Sequence, residues 1–126
     1  MITPKRLALL LLFITLMPAV AAPHAALVKS SPARRATLGQ APPRVELTFS
    51  ERLEPAYSTV AVLDAKGQQV DLRDAALTRG DSRRLVVSLP PLPAGSYTVK
   101  FRVLSVDGHV VESEFPFTIG TRGAAR

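Results

Sequence analysis

In the stretch RVELTFS, from Arg44 to Ser50, Val45, Leu47 and Phe49 alternate with Glu46 and Thr48. An apolar period of two puts one side of an extended chain in a core and the other in water. The pattern recurs along the chain, and the breaks between runs are rich in Pro, Gly and Asp. It predicts strands at Ala25–Lys29, Arg44–Ser50, Ser58–Asp64 (STVAVLD), Gln68–Leu72 (QQVDL), Arg84–Pro90 (RLVVSLP), Ser96–Leu104 (SYTVKFRVL) and Val110–Ile119. About seven short strands imply an all-β fold, an immunoglobulin-like Greek-key sandwich or small barrel. Tyr97, following the bend PPLPAG, suits either a corner tyrosine or a plain buried ring.

The opening MITPKRLALLLLFITLMPAVAA has Lys5 and Arg6, an apolar run to Met17, then Pro18 and small residues. This reads as a secretory signal peptide over residues 1–21, with cleavage as late as residue 23. The run is shorter than the roughly 20 residues a membrane span needs, and no later segment is continuously apolar. The expectation is an exported domain over 24–120, a frayed tail at 121–126 and no transmembrane anchor. The net charge of +6 falls to +4 once Lys5 and Arg6 are removed, mild enough to read Arg34-Arg35 and Arg83-Arg84 as solvated faces. An exported chain is not expected to meet nucleic acid. There is no cysteine, which excludes disulfides, thiolate metal sites and thiol catalysis. Met1 and Met17 both lie in the signal segment, so the domain has no thioether either.

LSVDGHVVES, from Leu104 to Ser113, contains an Asp-Gly pair that suggests a two-residue hairpin loop. That loop would set Phe101 against Glu114 and Val103 against Glu112, because one step of register reverses every side chain. Centring the turn on Asp107 instead pairs Val103 with Val111, Phe101 with Ser113, Val99 with Phe115 and Tyr97 with Phe117. The loop is then Val106–Gly108, with glycine at the position that takes a left-handed backbone. The same parity turns His109 toward the apolar face at the mouth of the sandwich, beside Asp107. A lone His–Asp pair fits a structural histidine as well as a metal ligand. His24, the only other histidine, lies within three residues of the expected cleavage point. It is either a flexible terminal residue or a chelating one, since a terminal histidine offers amine and imidazole together.

Three stretches, HAALVKSSPA, VELTFSERLEPAYSTVAVLDAKGQQV and LPAGSYTVKFRVLSVDGHVVESEFPFTI, together resemble the CopC family of periplasmic copper-resistance proteins over His24–Ile119. The resemblance implies an immunoglobulin-like Greek-key barrel that carries Cu(II), one per chain, and is not an enzyme. The family's ligands, an N-terminal His, an Asp and a second His, match His24, Asp107 and His109. Glu51 matches a carboxylate near that site, as a supporting or merely surface group. The methionine-rich Cu(I) loop of some members is absent, since Leu53–Leu77 holds neither Met nor His. Imidazole, amine and carboxylate suit Cu(II), whereas soft sulfur selects Cu(I). The resemblance also implies a periplasmic monomer exchanging copper with an inner-membrane CopD-like transporter.

Two readings remain beside it. A histidine-brace copper oxygenase would also use an N-terminal His with a second His, but Asp107 would fill the position such an enzyme leaves open. A metal-free immunoglobulin-like interaction module would treat both histidines as incidental. Zinc is chemically acceptable to the same donors.

Overall fold

The structure, a computed structural model, describes residues 25–121. The expected signal peptide, His24 and most of the expected tail lie outside the described residues. Eight strands follow in order: β1 (Leu27–Ser31), β2 (Thr37–Leu38), β3 (Arg44–Phe49), β4 (Thr59–Leu63), β5 (Ala76–Thr78), β6 (Asp81–Ser88), β7 (Gly95–Leu104) and β8 (Val110–Ile119). One sheet runs β1-β3-β6-β5 and the other β2-β8-β7-β4. The connections β3–β4, β4–β5 and β6–β7 each cross between sheets, which makes this an immunoglobulin-like Greek-key sandwich.

Alternation builds the core. Val45, Leu47 and Phe49 of β3 and Leu85 and Val87 of β6 face Val60 and Val62 of β4, Val99, Phe101 and Val103 of β7, and Phe115 and Phe117 of β8; all are buried. Burying each such side chain is worth about 1.5–3 kcal/mol, and with no cysteine in the chain this burial holds the two sheets together. Phe49 and Phe101 meet edge to face across the sandwich, with ring centroids 5.3 Å apart. Tyr97 takes both roles open to it. Its ring is buried and stacks on Phe117, while its hydroxyl donates to the Pro93 carbonyl at 2.6 Å as a corner tyrosine. Burial, with Asp64 nearby, raises the Tyr97 phenol above its ordinary range.

The hairpin β7–β8 has the expected register without interruption, from Gly95 opposite Ile119 to Leu104 opposite Val110. Pro116 does not break it. The amides of Thr118 and Gly120 point away from β7, to the carbonyls of Ala36 and Leu38, so Pro116 stands where an N–H would also point away from β7 and no ladder bond is lost.

Other expectations need correction. The first strand starts at Leu27 and not Ala25, because Ala25 is buried in the core and the Ala26 amide is bonded to the Ser50 hydroxyl. QQVDL is not a strand. There the buried Asp71 carboxylate accepts the Val62 amide at 2.8 Å and the Arg73 amide at 2.8 Å, so a side chain does what a strand backbone would do. β2 and β5 were not expected. Arg34 is exposed, as a solvated face requires, with its guanidinium 5.7 Å from the centre of the Phe115 ring.

Candidate metal centre

At the end of the sandwich where β7 meets β8, the Ser105 amide donates to the His109 carbonyl at 3.0 Å and the Gly108 amide to the Ser105 carbonyl at 2.9 Å. These bonds close the loop Val106–Gly108 as expected, with Gly108 at φ +92°. The turn folds Asp107 back over its own hairpin. Asp107 Oδ1 accepts the Ser105 hydroxyl and the His109 amide at 3.3 Å, and His109 Nδ1 stands 3.2 Å from the same oxygen.

The Asp107 carboxyl is held below its usual range, first by the Ser105 hydroxyl; partial burial opposes this, and His109 adds to the lowering. It is therefore an anion at neutral pH. The His109 and Asp107 side chains are 52% and 45% exposed, so both are reachable from solvent. The inward direction expected for His109 is correct in parity only. Ser105, opposite it, is fully buried, but the imidazole lies beyond the rim, because on its core-facing side β8 is fully buried only from Phe115 onward.

Neighbouring segments converge on this loop. The Val106 amide donates to the Arg52 carbonyl at 3.0 Å and the Glu54 amide to the Leu104 carbonyl at 2.8 Å, and Leu53 bridges to Ser105. Ser50, two residues before Arg52, exchanges bonds of 2.8 Å with Ala26. The first described residues are thus tied to the segment that is itself tied to the loop. Glu51 is half-buried within that segment, and among the described residues no hydrogen bond or ion pair joins it to Asp107 or His109. The structure brings together Asp107 and His109. His24 lies outside the described residues, and among those described no three His, Cys, Asp or Glu side chains form a metal-holding group.

Two donors that each stand about 2.0–2.2 Å from one ion and occupy neighbouring positions around it are roughly 3 Å apart. The 3.2 Å between Nδ1 and Oδ1 matches that spacing, and a small turn of the imidazole that brings both lone pairs onto one point would let the pair grip one cation. Sequence reasoning missed Ser105. Its signal was a polar residue ending the apolar row Tyr97, Val99, Phe101 and Val103, directly opposite the histidine.

A family model described as the CopC domain matches residues 27–120. The chain belongs to the CopC family. Among curated relatives, copper resistance protein C of Pseudomonas syringae pv. tomato is 32% identical, the match covering 82% of this chain and 86% of the relative. The copper transport protein CutJ of Bacillus subtilis is 34% identical over 89% of this chain, which spans only 21% of that relative's length. Of solved structures, CopC from Methylosinus trichosporium OB3b is similar with a TM-score of 0.73 and 41% identity, covering 78% of this CopC-family chain and 95% of that one. PcoC, a methionine-rich copper resistance protein from Escherichia coli, has a TM-score of 0.66 at 28% identity, covering 77% and 99%.

Proposed function

We propose that this CopC-family protein is a periplasmic carrier or store of copper, binding one Cu(II) per chain through His24, Asp107 and His109, in copper resistance or homeostasis. The observation that carries the reading is the Asp107 Oδ1–His109 Nδ1 pair, 3.2 Å apart on a loop tied down by hydrogen bonds and open to solvent. Relatives named as copper resistance proteins support the choice of metal. The donor set supports the oxidation state: imidazole and carboxylate suit Cu(II), and the only methionines are Met1 and Met17, in contrast to the methionine-rich neighbour. Half-exposed ligands suit an ion that is handed on. The match to a stretch of a much longer copper transport protein supports work beside a transporter, here an inner-membrane CopD-like protein. Glu51 is not a ligand in this reading; it is a supporting carboxylate or a merely surface one.

Titration of the apo-protein with Cu(II), followed by its visible and EPR spectra, tests the reading. One equivalent is expected to bind. His109→Ala should abolish tight binding and Asp107→Ala weaken it, each by removing one donor of a small set, while circular dichroism shows both still folded. Unfolding of His109→Ala would favour a structural histidine, and wild-type protein that takes up no Cu(II) would favour the metal-free interaction module. Equilibrium dialysis against Zn(II) separates a copper carrier from a zinc carrier.

A further inference from the structure

Ser105 is fully buried at the end of a row in which Tyr97, Val99, Phe101 and Val103 are all apolar. A hydroxyl in such a place costs stability unless it is bonded. Its one proton has two acceptors within reach, the Asp107 carboxylate and the His109 carbonyl at 3.3 Å, and the carboxylate is the charged and therefore stronger one. Ser105 is also the rigid end of the contact. Its amide and carbonyl are both engaged across the turn and it bridges to Leu53, whereas Asp107 stands at the exposed tip.

We infer that Ser105 is a positioning residue that holds the Asp107 carboxylate in place for the ion and so sets Cu(II) affinity without touching the metal. The inference rests on the reading of Asp107 and His109 as ligands. Of the three groups around Oδ1, the imidazole is the one whose contact an ion would replace by taking Nδ1. The Ser105 hydroxyl and the weaker 3.3 Å bond from the His109 amide then remain to fix the carboxylate. Partners of this kind that orient a ligand typically change metal affinity about 10- to 100-fold when removed.

The test is a double-mutant cycle read by Cu(II) competition titration and EPR. Ser105→Ala, nearly isosteric and leaving no buried polar atom behind, should stay folded, bind Cu(II) about 10-fold or more weakly and show an altered EPR spectrum. Ser105→Thr keeps the hydroxyl and should restore both. In an Asp107→Ala background, Ser105→Ala should cause no further loss. Wild-type affinity in Ser105→Ala overturns the inference, as does an equal loss in the Asp107→Ala background, which would mean that Ser105 only braces the hairpin. If the Thr methyl unfolds the domain, the cycle decides alone. Wild-type protein that binds no Cu(II) would strike the copper reading itself, a result distinct from a silent Ser105.

Discussion

Three aspartates show how one side chain is put to different uses by its surroundings. Asp71 is buried, and its oxygens accept the Val62 and Arg73 amides and the Gln69 side chain, so its side chain continues the short backbone pairing of Leu63 with Gln69. Asp107 offers its charge to solvent. Asp74 is exposed but accepts the Ser88 amide at 2.7 Å, and bonds with Ser88 hold its carboxyl below the ordinary carboxylate range. A carboxyl whose folded-state pKa is depressed adds stability that is present above its unfolded-state value and is lost as pH falls through the folded-state value. Asp74→Asn keeps an oxygen acceptor for Ser88 and loses the charge. Urea unfolding midpoints should therefore show the wild type more stable than Asp74→Asn at neutral pH, with the difference closing on acidification below about pH 4. A difference that does not change with pH would assign the contribution to the hydrogen bond alone.

The hairpin of β7 and β8 is the element that makes the site, and it was the element most legible in the sequence. Long alternating runs on both sides of a turn leave one register that keeps an apolar face, and that register is the one observed. Short elements carry too few residues for periodicity to speak. β2 has two residues and is recruited by parallel pairing with Thr118 and Ile119, and β5 has three, held by β6. QQVDL read as a strand because Val70 does pack on the core, but alternation does not reveal that Asp71 would take over the backbone's bonds. Gly108 follows from the same reasoning as the register. A Cβ there would meet nothing within 4 Å, so the requirement for glycine is the backbone at φ +92° and not space. Gly108→Ala should cost about 1–2 kcal/mol in chemical denaturation and weaken Cu(II) binding, since the turn sets where Asp107 and His109 stand. Unchanged stability would show that the loop tolerates a different backbone.

Across the whole molecule, hydrogen bonds tie the first described residues to the segment that holds the Asp107–His109 loop. Asp107 and His109 come from the last hairpin, while Ala25 is buried and Ala26 is bonded to Ser50, on the segment that holds the loop. The pair was legible in sequence because two residues on one turn stay together in any register. Exposure of His109 was not, since alternation gives the direction of a side chain but not where the opposite sheet ends. Signal cleavage at the small-residue motif Ala19-Val20-Ala21 would leave Ala22-Pro23-His24 at the start. With Ala22 retained, the terminal amine cannot close a short chelate ring with the His24 imidazole. Pro23 has no amide hydrogen to lose, so a chelate through successive backbone nitrogens is blocked as well. If the amine is a ligand, a chain beginning at His24 should bind Cu(II) more tightly than one beginning at Ala22 and show a different EPR spectrum. Intact mass of the protein from its own host should then show Ala22-Pro23 removed. Equal affinities and identical spectra for the two chains would mean that the amine is no ligand and that His24 contributes its imidazole at most.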